Sequence, residues 1–340
     1  MGSTAAGKSA VLKRKRIHRY AYNMNITELL NNNSRTAFSF EVLPPLKGKG
    51  LDTINRTIET LREFDPKYIN ITTHHSEVYF REAGNGLYQA ERLRRRPGTV
   101  AVAAALQHKY GIPVVPHILC SGFTKEETEY VLIDLQFLGI TNLLLLRGDK
   151  GKDDKRFSPT EGGHEHTTEL EQQVNDYNDG RFLNGEAIEF IGEKFSYGVA
   201  CYPEKHEEAL NLRSDLQRFR QKVELGAGYG VTQMFFDNSK YFAFVDAARS
   251  EGISVPIIPG IKPFTKLSQL TAIPRTFRCD FPEEFVSEAA KCRTDDDARQ
   301  FGVEWGITQC RELVRRGVPS IHFYTMGAAE SIRRIAKEIY

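Results

Sequence analysis

The chain has 340 residues, 40% hydrophobic and 26% charged, with a formal net charge of +2. That length and apolar content predict a large folded core, and the nearly balanced charge argues against a dedicated nucleic-acid binder, which carries a basic face. No run of about 18 apolar residues occurs, so no membrane-spanning helix is expected. The five scattered cysteines form no C-x-x-C pair and read as reduced thiols of a cytoplasmic protein.

Residues 1–23 contain the basic stretch KSAVLKRKRIHRY, which lacks an apolar h-region and so is a poor signal peptide. They are expected to form a disordered extension. Met24, which opens MNITELL, is an alternative start, and residues 24–340 are expected to fold as one domain.

Eight short apolar or β-branched runs follow: 38–43, 68–72, 114–120, 142–148, 197–202, 230–236, 256–261 and 320–326. Several are nearly continuous in apolar character, as strands covered on both faces are. Helical patterns lie between them. In 124–138, Thr124 is placed to N-cap, Glu127 to complete a capping box, and Val131, Leu135 and Leu138 to form one stripe, with Gly139 as the stop. Residues 207–225, 239–251 and 296–316 are also expected to be helical, the last two stopped by Gly252 and Gly317. Eightfold strand–helix alternation predicts a (β/α)8 TIM barrel. A doubly wound sheet would predict an early G-x-G-x-x-G turn, and the chain has none. Residues 150–195, rich in Gly, Asp, Glu and Lys and helical only over 165–176, read as an insertion after the fourth strand, and ERLRRRPG (91–98) reads as solvated surface.

In such a barrel the chemistry sits at the carboxyl ends of the strands. Polar residues recur there: Glu41, Thr72, His117, Arg147 and Asp149, Tyr202, Gln233 and Lys262. Glu41, near the end of FSFEVLPP, poses the sharpest question, because a buried carboxylate is costly unless it is paired, protonated or used. Either it holds a proton for transfer, or it pairs with Arg147 or a lysine. The LLLLRGD run places opposite charges on either side of Gly148, as a binding turn or as a plain surface turn. Asp215, Arg218 and Lys222 share one helical face beside an apolar stripe of Leu216, Phe219 and Val223. That face suits a diphosphate or plain solvent. His74, His75 and His117 lack a metal-ligand spacing, and no metal is expected.

FSFEVLPP, PHILC, LLLLRGD, ACYPEKHEEA, TQMFFD, IIPGIKP and HFYTM occur in that order. Together they resemble the flavin-dependent 5,10-methylenetetrahydrofolate reductases of the short bacterial type, from about residue 25 to residue 340. The resemblance implies a (β/α)8 barrel that holds FAD, takes NADH or NADPH as co-substrate, and reduces 5,10-methylenetetrahydrofolate to 5-methyltetrahydrofolate for methionine synthesis. Hydride would pass from nicotinamide to flavin to folate in a ping-pong sequence. It also implies a homo-oligomer without nucleic-acid or membrane partners. Because the chain ends after the eighth strand and its helix, inhibition by S-adenosylmethionine is not expected.

The roles implied are residue-specific. Glu41 would protonate N10 of the folate, and Asp149 would lie near flavin and pterin and steady the developing cation. Gln233 and Gln269 would contact the substrate, and Thr72 the nicotinamide side. His117, Arg147, Gly148 and Tyr202 would begin the flavin cradle. His206, Ala209, Asp215 and Lys222 would continue it, with Thr167 as a further contact. Arg218 and Gln221 stand in for an Asn and an Arg of the better-known bacterial pattern. Thr73, His75 and Ile273 depart from that pattern. So does Ala328, where a ligand-contacting arginine is absent and Arg333 or Arg334 offers a substitute. Three rivals remain: a related flavin barrel that oxidises proline, a Schiff-base aldolase using Lys262, and a non-catalytic binding barrel.

Overall fold

The computed structural model describes residues 24–74, 77–150, 157–190 and 192–340. The expected extension and His75 therefore lie outside the described residues. Each of the eight anticipated runs forms a strand: β1 (Ala37–Val42), β2 (Tyr68–Ile71), β5 (Val114–Leu119), β6 (Asn142–Leu146), β7 (Ser196–Cys201), β8 (Tyr229–Thr232), the pair β9 (Ile257–Ile258) and β10 (Gly260–Ile261), and β11 (Ser320–Tyr324). All pair in parallel, in the order β10-β11-β1-β2-β5-β6-β7-β8-β9. Because β9 and β10 are two halves of one strand broken at Pro259, the ends of that order meet, and the sheet closes as an eight-stranded barrel. Pro259 has no N–H to give the ladder. Its carbonyl instead accepts from His322 N (3.0 Å), while Gly230 N donates to Pro256 O (2.8 Å) on the other side.

The crossover helices follow in chain order: α2 (Asp52–Leu61), α3 (Thr99–Tyr110), α4 (Lys125–Phe137), α5 (Thr167–Asn178), α6 (Leu212–Leu225), α7 (Asn238–Ser250), α8 (Gln269–Phe277), α9 (Glu283–Ala289), α10 (Asp295–Arg315) and α11 (Ala329–Ala336). The expected box at α4 is present, with Thr124 and Glu127 exchanging side-chain and backbone bonds. Its buried stripe is Thr128, Leu132 and Leu135, rather than one running through Leu138, which is 42% exposed. Helix α6 begins at Leu212, not at 207: Asn211 caps it in a box with Ser214, and 207–211 is a loop. The connection from β6 to β7 contains α5, which packs against β6 and α6 in the helical ring.

Alternation along the strands sorts the interior from the outer core. Phe38, Phe40, Ile69, Ile71, Leu143 and Leu145 join the helix-facing cluster, so their neighbours point into the cylinder. The floor is apolar: Tyr68, Val115, Leu144, Tyr229 and Ile258 pack on Ile26 and Leu30 of a preceding helix, α1 (Ile26–Asn32). Asn142 holds that plug, accepting Ile26 N and donating to Met24 O, each at 3.0 Å. Above the floor lies a polar layer in which Ser39 Oγ meets His322 Nδ1 (3.0 Å) and Asn70 Nδ2 meets His117 Nε2 (3.2 Å).

An antiparallel hairpin outside the barrel, β3 (Glu77–Gly84) and β4 (Leu87–Leu93), leaves the carboxyl end of β2. It contains part of the segment expected to be plain surface. Beyond its root, Arg96 donates to Pro44 O and Lys47 N donates to Arg95 O (2.7 Å), tying the return strand to the loop after β1.

Candidate active site

Glu41 is the second-last residue of β1, on its inward face, level with Tyr324 of β11 and Asn70 of β2. Burial raises its carboxyl to about 8, with no other cause resolved. It therefore holds its proton at neutral pH, and the paired-carboxylate alternative lacks its ion pair among the described residues. Tyr324 was not singled out by sequence, although it ends the eighth strand with a hydroxyl as the other strands end with polar groups. Its OH reaches across Gly260 to Thr232 O (2.6 Å). Gly260 is required there, since a Cβ would lie 2.5 Å from the Tyr324 ring and 2.4 Å from Thr232 O.

The remaining predicted residues occupy one rim. Thr72 follows β2, its N–H on Val42 O (3.1 Å). His117 is buried, and desolvation first, then the charge of His74, lowers it to about 3, so it is a neutral imidazole. Gly148 has φ +87°, and a Cβ there would sit 2.5 Å from Ser121 Oγ. Both facts require glycine. Asp149 is exposed beside it, and its charge helps to raise Tyr202. Arg147 is committed to Glu208 (2.6 Å), with its guanidinium over the Phe157 ring. Gln233 folds back to accept Met234 N (3.1 Å), while Gln269 accepts from Thr265 N (2.8 Å) and Lys266 N (3.3 Å), stapling the turn before α8.

Along one edge of this rim, Ala200, Cys201 and Tyr202 meet Asp215, Phe219 and Lys222 of α6 around a small cavity. Asp215 accepts His206 N (2.8 Å), His206 meets the Tyr202 ring edge-on, and Lys222 Nζ donates to Ala200 O (3.0 Å). Ala209 is buried on the same loop, its N–H on His206 O. Thr167 is buried at the first turn of α5, one turn before Glu171. Arg218 and Gln221 face solvent on α6. Arg333 and Arg334 do not reach the mouth. Arg333 pairs with Glu63, which precedes β2 and so lies at the opposite end of the strands, and Arg334 bonds Gln300. Both are thus engaged with other side chains.

This site suits an elongated cofactor with an anionic middle: a lysine and two exposed polar side chains on one helix, a buried acceptor in Asp215, and a glycine turn that admits close approach. Among the described residues no three His, Cys, Asp or Glu side chains gather as a metal site.

A closed (β/α)8 barrel with a neutral carboxyl and a buried lysine at its carboxyl-end mouth has the layout of the barrel enzymes. The model of the family "Methylenetetrahydrofolate reductase" matches residues 25–340, and the chain belongs to that family. It is 28% identical to the 5,10-methylenetetrahydrofolate reductase of Salmonella typhimurium, with 92% of each chain covered. It is 26% identical to methylenetetrahydrofolate reductase (NADH) 1 of Zea mays, with 87% of this chain and 47% of that protein covered. The chain thus spans about half the length of the plant relatives it matches. A solved Clostridium thermocellum protein that binds two copies of 5-methyl-5,6,7,8-tetrahydrofolic acid shares the fold, with TM-score 0.55, 12% identity, and 93% of this chain and 98% of that one covered.

Proposed function

We propose that the chain reduces 5,10-methylenetetrahydrofolate to 5-methyltetrahydrofolate with NADH or NADPH, taking up one proton. The observation that carries this reading is the position of Glu41, a carboxyl raised to about 8 by burial on the inward face of the barrel mouth, in a chain of this family. An acid that keeps its proton at neutral pH is what opening the five-membered ring requires, because N10 leaves the bridging carbon only when that nitrogen is protonated. Glu41 supplies that proton to N10. Asp149, on the same rim, steadies the positive charge that appears on the one-carbon unit. Gln233 and Gln269 give amide groups to the pterin, and Thr72 a hydroxyl to the nicotinamide.

FAD fits the cradle described above. Lys222 and Arg218 would face its diphosphate, with Gln221 beside them, and Asp215 would face its hydroxyl-bearing linker. Tyr202, His206 and Ala209 would line one side and Thr167 another. His117, Arg147 and Gly148 would meet the ring system. When bound, the flavin supplies a two-electron relay between nicotinamide and folate. Neutral His117 and the Arg147–Glu208 pair add no unpaired charge of their own to the ring side of the cradle.

The test is direct. Purified protein is expected to absorb near ~450 nm, as oxidised flavins do, to be bleached by NADH or NADPH, and to recover its colour on adding methylenetetrahydrofolate. A colourless protein that turns over neither nicotinamide would end this reading. Bleaching by proline but by neither nicotinamide would favour the proline-oxidising relative.

A further inference from the structure

Lys262 follows β10 at the barrel mouth. Gly260 and Ile261 pair with His322 and Phe323, and Ile261 and Phe323 both belong to the outer core. Alternation therefore turns Lys262 inward, level with Tyr324 and one strand removed from Glu41. The residue is 6% exposed. Among the described residues its ammonium has one hydrogen-bond acceptor, the carbonyl of Pro263 at a long 3.5 Å. No carboxylate of the described residues pairs with it. A buried cation without a counter-charge costs several kcal/mol of desolvation, and burial alone lowers this lysine's affinity for its proton. The fold gains nothing from such a group that a methionine would not supply. A ligand with an oxygen acceptor would gain a charge-assisted hydrogen bond in a dry setting.

We propose that Lys262 is a substrate-binding residue of this mouth, whose ammonium takes an oxygen acceptor of the pterin-bearing substrate, either the ring carbonyl or a glutamyl carboxylate. The inference rests on the functional reading above and extends it to a residue to which the resemblance assigns no role.

The experiment measures equilibrium binding of 5-methyltetrahydrofolate to the holoenzyme and to its Lys262→Met, Lys262→Gln and Lys262→Arg variants, with thermal melting in parallel. Loss of one hydrogen bond to a charged group predicts roughly tenfold to hundredfold weaker binding for the Met and Gln variants. The Met variant should melt no lower than the parent, and Lys262→Arg should retain binding within a few-fold. Tetrahydropterin, which lacks the glutamyl arm, separates the two sources: an equal loss for this probe assigns the ring carbonyl, and no loss assigns the carboxylate. Unchanged affinity in both the Met and Gln variants overturns the proposal while leaving the functional reading intact. A wild-type protein that binds no folate at all overturns both. An adduct trapped at Lys262 by borohydride with a carbonyl compound would overturn it in favour of Schiff-base chemistry.

Discussion

Glu41 and Tyr324 stand opposite each other in the parallel register of β1 and β11, both on the inward face of the barrel mouth. After burial, the Glu41 charge is the largest influence raising the Tyr324 phenol. The two groups are thus close enough to resist ionising together, and each stays protonated at neutral pH.

Replacing Glu41 with Gln keeps shape and removes the transferable proton. Reduction of the flavin by NADH should stay within about threefold of wild type, while folate reduction falls at least 100-fold, the usual size of a general-acid contribution. In wild type the folate half-reaction should fall about tenfold per unit as pH rises beyond about 8, where the carboxyl loses its proton. Stopped-flow measurement of the two half-reactions checks both. Equal losses in both halves would remove Glu41 from the acid role.

Glu171 on α5 is fully buried, and neither carboxylate oxygen has a partner among the described residues. Burial, opposed by the charge of Lys222, raises it to about 8. Its folded value lies above the unfolded one, so the native state holds a proton that the unfolded chain releases. Stability is therefore undiminished below pH about 4.5 and falls as pH rises towards about 8. Glu171→Gln removes that dependence. The variant should melt with wild type at pH 5 and above it at pH 9, by a few degrees for about 1 kcal/mol. A lower Tm at pH 9 would show that the ionised form is the one the fold uses.

Gly148→Ala combines a left-handed backbone with a Cβ 2.5 Å from Ser121 Oγ. We expect a cost of roughly 1–3 kcal/mol and, because the strain falls on the β6 exit loop, a protein purified with less flavin per chain. Denaturant melts and the ratio of visible to ultraviolet absorbance report the two effects. A fully loaded, equally stable variant would contradict the placement of this turn.

Among the described residues the hairpin strands β3 and β4 pair only with each other. Replacing residues 77–93 with a short Gly-Ser linker should leave the Tm of the barrel within about 2 °C, because the core residues of β1, β2 and β5 are untouched. A drop large enough to prevent folding would mean that the hairpin supports the cylinder.

Much of the architecture was legible because buried parallel strands declare themselves by unbroken apolar runs, and the Thr124–Glu127 cap by its spacing. The hairpin was missed although its signal was present. Asn85-Gly86 separates two alternating segments, and both residues take positive φ (53° and 73°). Apolar spacing alone runs the α4 stripe through Leu138, whereas a short outer helix leaves that apolar edge in water. In the site, strand-end logic found Glu41 and Lys262 but not Tyr324. A tyrosine within HFYTM looks like core until register sets it beside a carboxyl. The break at Pro259 was visible as a proline, yet only closure of the sheet shows that each half-strand serves a different neighbour.

That break gives the cylinder a seam. Here two dipeptides meet at a residue with no proton to share, and each dipeptide holds a different neighbour. If the wall parts anywhere before the whole molecule melts, it should part along this line. Amide exchange at Ile258 and Ile261 would then run ahead of that at Phe40 or Leu145.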